Sequence, residues 1–85
     1  MKEEDLRPTI LRILKGIAPD SDPARLKPDD NIRRTLAIDS FDYLQFIIAL
    51  DEALGLQTPE EDYGQIETLK SLLDYLTRKQ INSPG

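Results

Sequence analysis

The chain has 85 residues, of which 39% are hydrophobic and 32% are charged, and its formal net charge is −5. This length and composition predict one soluble domain with a single modest core. The chain contains no cysteine and no histidine, which excludes disulfides, thiolate metal sites, cysteine nucleophiles and imidazole bases, and we expect no metal centre. The N-terminal sequence MKEEDLRP is too polar for a signal peptide, and no apolar run is long enough for membrane insertion, so we expect a cytoplasmic protein.

The negative charge is concentrated in residues 35–69. This window contains no lysine or arginine, but it holds the acidic residues Asp39, Asp42, Asp51, Glu52, Glu60, Glu61, Asp62 and Glu67. A nucleic-acid-binding protein would concentrate positive charge instead, so we expect no nucleic-acid partner. The window could attract partners with basic surfaces, or it could be a solvated acidic surface that has no partner.

The first predicted helix covers residues 5–17. Its apolar residues recur at helical spacing, namely Leu6, Ile10, Ile13, Leu14 and Ile17. Pro8 fits this helix only within its first turn. Prolines at 19, 23 and 28 then indicate a long loop that reaches about residue 37. A loop of this length needs apolar anchors, and the candidates are Leu26, Ile32 and Leu36.

The second longer helix is predicted over residues 40–54, with Gly55 as its C-terminal cap. The sequence TPEE then predicts a short helix that is capped by Thr58. A last helix starts near residue 68 and ends at about residue 79, with an apolar stripe of Leu69, Leu72, Leu73 and Leu76. We therefore expect an all-α bundle of three longer helices and one short helix, with residues 1–79 as a single domain and 80–85 as a frayed tail.

The helix over residues 40–54 carries apolar residues on two sides. One side should pack in the core, and it consists of Tyr43, Phe46, Ile47, Leu50 and Leu54. Phe41, Leu44 and Ile48 project from the opposite side, which a helix packed on one face does not need. Exposed apolar residues rimmed by carboxylates are typical of a docking surface. Alternatively, the long loop covers them as a second side of the core.

Asp39 and Ser40 lie at the predicted start of this helix. Asp39 fits an N-cap, with Asp42 at the third helical position. A hydrolytic role for Ser40 is excluded, because no histidine can take its proton and no lysine is close in sequence. The other possibility is that a separate enzyme modifies Ser40, since a phosphate at a helix N-terminus lies near free backbone N–H groups.

Two stretches carry a resemblance to a known family. The longer one, DSFDYLQFIIALDEALGLQTPEEDYGQIETLKSLLDYL, resembles the acyl carrier proteins and the related peptidyl and aminoacyl carriers, from their Asp-Ser-Leu attachment motif to their closing helix. Upstream, RLKPDDNI is similar to the segment that anchors the family's long first loop. The resemblance covers residues 6–75. It is specific because several residues stand at the family's offsets, namely Asp39, Ser40, Gly55, Pro59, Ile66 and Leu69.

The resemblance implies a carrier and not an enzyme. Ser40 would accept 4′-phosphopantetheine from coenzyme A through a separate phosphopantetheinyl transferase, which makes the chain a phosphoprotein. The thiol of this arm would carry acyl or aminoacyl groups as thioesters to enzymes of fatty-acid, lipid or secondary-metabolite synthesis. These acyl-loading and acyl-processing enzymes would dock basic patches on Asp39, Phe41, Asp42, Leu44, Ile48, Asp51 and Glu52. We expect the carrier to be a monomer.

Four departures from the family's pattern indicate a specialised carrier. Phe41 replaces the usual leucine after the serine, and Gln45 replaces a frequent glutamate. Ala37 and Ile38 stand where the family often has Gly-Ala, which makes the approach to Ser40 stiffer. Residues 33–35 are Arg-Arg-Thr in a stretch that is commonly acidic. The docking surface is therefore less negative than that of a general fatty-acid carrier. The alternative is that these departures reflect lineage drift in a housekeeping carrier.

Any acyl cavity between the helices would be lined by Ile47, Leu50, Leu54, Ile66, Leu69 and Leu73. These residues are core residues first, because each large aliphatic side chain stabilises a small core by on the order of 1.5–3 kcal/mol. Two other interpretations stay open. The chain could be an unmodified acidic module that docks on a basic partner enzyme, or an enzyme that uses the carboxylates of Glu60, Glu61 and Asp62.

Overall fold

The computed structural model describes residues 3–82 of the chain, with the side chains of residues 4–79. Within that range the chain forms helices and turns, together with one isolated backbone bridge between Asn31 and Thr68. The predicted all-α bundle is therefore confirmed. Its α-helices are α1 (Glu3–Ile17), α2 (Ile32–Leu36), α3 (Ser40–Leu54) and α4 (Leu69–Asn82), and 3₁₀ helices cover Pro23–Arg25 and Glu60–Ile66.

The core lies where one face each of α1, α3 and α4 meet. These helices contribute Leu6, Ile10 and Leu14 from α1, Tyr43, Phe46, Ile47 and Leu50 from α3, and Leu69, Leu72, Leu73, Tyr75 and Leu76 from α4, and the segments between them add Leu26, Ile32, Leu36, Ile38 and Ile66, all of which are buried. These stripes follow the predicted periodicity. Ile13, Ile17 and Leu54, which were predicted in the same stripes, are half-buried at the edge of the core.

α1 begins two residues before its predicted start, so Pro8 lies beyond the first turn. A proline there removes one backbone hydrogen bond and disfavours the helix. Leu6 and Ile10 on either side of it are fully buried. Their burial offsets the cost of the proline, because tertiary packing supplies most of the stability of a helix in a protein.

The long connection between α1 and α3 contains more structure than the sequence predicted. The predicted anchors Leu26, Ile32 and Leu36 are all buried. Two of them belong to α2, a helix of one turn that was predicted as loop, and Asn31 caps it by accepting the N–H of Arg34 at 3.0 Å. Backbone bonds from Ile32 to Glu67 and from Lys70 to Pro28 fix this connection to the start of α4. The connection is therefore anchored in the core and bonded to the start of α4 before it leads into α3.

Ala37 ends α2 in the left-handed backbone region, with φ 53° and ψ 46°. The backbone N–H of Ile38 then donates to the carbonyl of Arg33 at 2.9 Å. A Cβ makes this backbone region unfavourable, and glycine usually occupies it at the end of a helix. The chain thus holds a strained residue three positions before Ser40.

Ala37→Gly is expected to raise the free energy of unfolding by about 0.5–1 kcal/mol, because it removes the Cβ from a left-handed residue. Urea unfolding followed by circular dichroism measures this change. Ala53→Gly is the matched control, since Ala53 is an exposed residue inside α3. That control should lower the stability by about 1 kcal/mol. A loss of stability in both variants would contradict the interpretation of Ala37 as strained.

The segment after α3 differs from the prediction in its capping. Gly55 ends the helix with φ 67°, as predicted. Thr58, however, does not cap the following helix: its backbone N–H and its hydroxyl donate to the two carboxylate oxygens of Asp51, at 3.0 and 2.7 Å. The following 3₁₀ helix has Pro59 at its N-cap position and continues through Gly64 to Ile66. Both donors of Thr58 point to Asp51, because a hydrogen bond to a charged carboxylate is stronger than one to a neutral acceptor.

α4 extends to Asn82, three residues beyond its predicted end, so the proposed tail over 80–85 begins as helix. Residues 83–85 lie outside the described residues. None of the helices described over residues 3–82 is both long enough and apolar enough to span a membrane.

Candidate functional site

Ser40 is the first residue of α3, and its side chain is exposed. Asp39 precedes it as the N-cap, and its carboxylate accepts the backbone N–H of Asp42 at 2.8 Å. This bond confirms the predicted cap and fixes the first turn of the helix. An exposed hydroxyl on a fixed first turn is accessible to a modifying enzyme.

A surface cleft of about 450 Å³ opens beside Ser40. It lies between the first turns of α3 and the 3₁₀ helix Glu60–Ile66, and α2 contributes one of its residues. The cleft is lined by Arg33, Ser40, Tyr43, Leu44, Glu60, Tyr63, Gly64 and Glu67. Sequence reasoning gave Tyr63 no role in a site, gave Arg33 only an effect on the charge of the docking surface, and placed Tyr43 in the core alone. No local signal could bring these residues together, because they come from three separate segments.

Tyr43 forms the inner wall of the cleft. It is only 7% exposed, and its hydroxyl donates to the backbone carbonyl of Ile66 at 2.7 Å. The guanidinium of Arg33 lies 5.6 Å from the centre of its ring, within the range of a cation–π contact. Burial raises the pKa of Tyr43 to about 12, and the Glu67 carboxylate adds to the rise while Arg33 opposes it. The phenol is therefore neutral and acts as a hydrogen-bond donor at ordinary pH.

A second tyrosine is held in a similar way on the other side of the 3₁₀ helix. The hydroxyl of Tyr75 donates to the Asp62 carboxylate at 2.7 Å, and the side chain is buried. Burial, followed by this hydrogen bond, raises the pKa of Tyr75. The two tyrosines fix the 3₁₀ helix to α3 and α4, and the outer wall of the cleft is fixed with it.

The stability of the domain should fall as the pH rises from about 10 to about 12. The pKa of Tyr43 is 10.0 in the unfolded chain and about 12 in the folded chain. The stabilisation that comes from the neutral phenol is therefore complete below pH 10 and is lost as the pH rises towards 12. This rise in the pKa corresponds to about 2–3 kcal/mol in the free energy of unfolding. Urea unfolding at stepped alkaline pH measures the slope. Tyr43→Phe should give a shallower slope, with the remainder due to Tyr75, and an unchanged slope would contradict the assignment.

The outer face of α3, defined by Phe41, Leu44 and Ile48, is exposed to solvent. The three side chains are 67%, 38% and 43% exposed. The alternative that the long loop covers them is therefore wrong. A small domain that leaves three neighbouring large apolar side chains in water has a surface suited to a partner.

Most of the carboxylates predicted to form the acidic rim reach solvent. Asp39 and Glu52 are exposed, and Asp42 is half-buried. Asp51 differs from the expectation, because both of its carboxylate oxygens accept bonds from Thr58. Asp51 therefore has a structural role, and both of its carboxylate oxygens already hold hydrogen bonds within the domain.

The residues predicted to line an acyl cavity pack into the core. Ile47, Leu50, Ile66, Leu69 and Leu73 are buried, and Leu54 is half-buried. The cleft beside Ser40 is lined by a different set of residues. The structure therefore separates the space next to the serine from the apolar interior.

None of the three carboxylates considered for catalysis is buried. Asp62 accepts bonds from Tyr75 and Gln65, while Glu60 and Glu61 are exposed. These bonds give Asp62 a structural role. Among the described residues, no cluster of three or more acidic side chains could hold a metal ion.

Comparisons with known proteins agree with the all-α fold. The family model described as the phosphopantetheine attachment site matches residues 8–76. An acyl carrier protein from Thermosynechococcus vestitus is 32% identical over 73 residues, which cover 82% of this chain and 90% of that protein. An acyl carrier protein from Rubrobacter xylanophilus is 31% identical over 77 residues, covering 87% and 95%.

A solved structure of an acyl carrier protein from Enterococcus faecalis matches with a TM-score of 0.71 at 25% identity, and the match covers 93% of this chain and 99% of that one. These similarities define a non-enzymatic carrier that holds 4′-phosphopantetheine covalently. The chain belongs to the acyl carrier protein family. Family membership implies contact with a phosphopantetheinyl transferase and with acyl-handling enzymes, and it disfavours the interpretation as an unmodified module.

Proposed function

We propose that Ser40 is the residue that carries the phosphopantetheine arm. The observation that supports this most directly is the exposed hydroxyl on the first residue of α3, beside an open cleft. An exposed oxygen at a helix N-terminus fits a phosphodiester, because the positive end of the helix dipole favours negative charge there. In the transfer, the Ser40 oxygen bonds to phosphorus as the pyrophosphate bond of coenzyme A breaks. Adenosine bisphosphate leaves, and a base on the transferase takes the hydroxyl proton.

The residues around Ser40 position this oxygen and do no chemistry themselves. Asp39 holds the first turn of α3 through its bond to Asp42, and Ala37 fixes the direction in which the chain enters that turn. The arm supplies a thiol that carries acyl groups as thioesters. Since the chain has no cysteine of its own, that thiol meets no competing protein thiol within one molecule.

We also propose that the outer face of α3 docks the partner enzymes. Phe41, Leu44 and Ile48 form its apolar centre, and Asp39, Asp42 and Glu52 supply negative charge at its edge. A desolvated centre provides most of the binding energy of an interface, while charges at the rim speed the encounter with a basic partner. The exposed Arg33 and Arg34 lie close to this face in sequence and would repel a uniformly basic partner. This mixture of charges supports a specialised carrier with a dedicated set of partners in fatty-acid, lipid or secondary-metabolite synthesis.

Intact-mass spectrometry tests the attachment. The apo-protein is incubated with coenzyme A and a promiscuous phosphopantetheinyl transferase, and we expect the mass to rise by one phosphopantetheine. Ser40→Ala should show no rise, whereas Ser21→Ala, which removes a half-buried serine outside the site, should gain the same mass as the wild type. A mass gain in Ser40→Ala would overturn the proposed attachment. The cytoplasmic location and the monomeric state remain predictions, and sedimentation of the apo-protein tests the second.

A further inference from the structure

We propose that Arg33 binds the phosphodiester of the arm through its guanidinium, and that this contact fixes the direction in which the arm leaves Ser40. The proposal rests on the proposed attachment at Ser40. It adds a positioning residue on α2 and gives a role to one of the two arginines in a stretch that is commonly acidic in the family. The contact involves the phosphate end of the arm alone, whatever group its thiol carries.

The backbone at Arg33 is held firmly by its neighbours. α2 is anchored by the buried residues Ile32 and Leu36, and the carbonyl of Arg33 accepts the backbone N–H of Ile38 at 2.9 Å. The side chain of Arg33 is exposed. A fixed backbone thus carries a side chain that a group attached nearby can reach.

The guanidinium of Arg33 lies beside the first turns of α3. It is 5.6 Å from the centre of the Tyr43 ring. Tyr43 follows Ser40 by three positions in the same helix, which places the two residues on one side of it. Arg33 and Ser40 accordingly line the same cleft. Contact with the ring restricts the arginine side chain, so less conformational entropy is lost when it binds an anion.

The charges around the cleft make a cation at this place important. Arg33 is the one basic side chain among the described residues that line the cleft, and the carboxylates of Glu60 and Glu67 line it as well. A phosphodiester on Ser40 would add a further negative charge, next to the carboxylate of Asp39. Like charges at short range repel, and a cation within reach offsets that repulsion. Arg33 is therefore the residue in position to compensate the phosphate.

The N–H groups of Arg33 are available for a ligand. Among the described residues, the ion pair that forms joins Arg25 to Asp22, and Arg33 takes part in none. The contact that its guanidinium makes is with the face of the Tyr43 ring, which leaves the N–H groups at the edge of the guanidinium plane unused. A guanidinium presents these donors as a fork that matches two oxygens of a phosphate. Both the charge and the donor geometry of Arg33 thus fit a phosphodiester.

Comparing the apo-protein with the phosphopantetheine-bearing protein tests the contact. The arm is left with its free thiol, so that no carried group contributes, and intact mass establishes each attachment. The change in Tm on attachment should be about 2–5 °C lower in Arg33→Gln than in the wild type, the effect of one surface ion pair in a domain of this size. Arg33→Lys should keep part of the effect, since it keeps the charge and loses the fork.

Arg34→Gln is the matched control. Arg34 is an exposed arginine next in the chain, but it does not line the cleft beside Ser40. Its change in Tm on attachment should equal that of the wild type within about 1 °C. Equal effects of Arg33→Gln and Arg34→Gln would indicate a general effect of positive charge and would overturn the proposal.

NMR tests the same contact in the wild type without relying on a substitution. The side-chain Nε–H signal of Arg33 should move on attachment, whereas that of Arg34 should stay in place. The phosphorus signal of the modified protein should differ between the wild type and Arg33→Gln. High salt should reduce both effects, because it screens exposed charges.

The outcomes separate this proposal from the attachment itself. If the wild type gains no mass, the attachment at Ser40 fails and the contact with Arg33 fails with it. If the mass rises but the change in Tm is the same in Arg33→Gln and the wild type, the contact is overturned while the attachment stands. An Arg33 Nε–H signal that does not move on attachment has the same meaning.

Discussion

Phe46→Ala is expected to lower the free energy of unfolding by about 3–5 kcal/mol, the usual effect of removing a buried aromatic side chain. Phe46 is fully buried on the inner side of α3, and its ring centre lies 6.0 Å from that of Tyr43. Domains of this size are stable by only about 5–15 kcal/mol, so the loss is a large share of the total. The variant should therefore unfold at a clearly lower urea concentration than the wild type, and urea unfolding followed by circular dichroism measures the change.

The same helix provides the control for this experiment. Phe41 lies five positions earlier, on the outer face, and is 67% exposed. Phe41→Ala should change the stability by less than about 0.5 kcal/mol, because surface substitutions away from special features have small effects. Comparable losses in the two variants would mean that the outer face contributes to folding and would contradict its interpretation as free surface.

Phe41→Ala should instead weaken the recognition of the carrier by its enzymes. We expect kcat/KM for phosphopantetheinyl transfer to the apo-protein to fall about fivefold or more, because truncating an aromatic anchor at the centre of an interface can cost more than about 1 kcal/mol. Phe41→Leu is the matched variant, since leucine is the residue that the family usually has after the serine. It should keep most of the activity. A Phe41→Ala protein that is modified as fast as the wild type would show that docking relies on other residues.

The charge at the rim should affect the same reaction through the rate of encounter. Asp42→Asn removes one negative charge from the first turn of α3 and should lower kcat/KM mainly at low ionic strength. Adding salt should therefore reduce the difference in kcat/KM between this variant and the wild type. A difference that salt does not change would indicate a direct contact instead.

The long helices and their inner faces were predictable because their apolar residues repeat with the helical period over several turns. The start of α3 was predictable for a local reason, since Asp39 needs only the N–H of Asp42 three residues away. The two sides of α3 followed from the same geometry. In each of these cases the residues that form the pattern are within a few positions of the residues whose structure they predict.

The features that sequence reasoning missed depend on partners distant in sequence, or on an element too short to show a period. α2 has five residues, so Ile32 and Leu36 make only one helical repeat. Tyr75 packs in the core, and Asp62, thirteen positions earlier, accepts the hydrogen bond of its hydroxyl. Thr58 was predicted as a cap because its local sequence fits one, yet its donors reach back seven positions to Asp51. The cleft beside Ser40 was not predictable for the same reason.

The bond between Asp51 and Thr58 has a consequence for protein engineering. The carbonyl of Asp51 also accepts the backbone N–H groups of Gly55 and Leu56, so one residue secures both the end of α3 and the turn that follows it. Inserting or deleting a residue between Gly55 and Thr58 would shift Thr58 out of register with its acceptor. A chimera that transplants this helix onto another scaffold should therefore move residues 40–58 as one uninterrupted cassette.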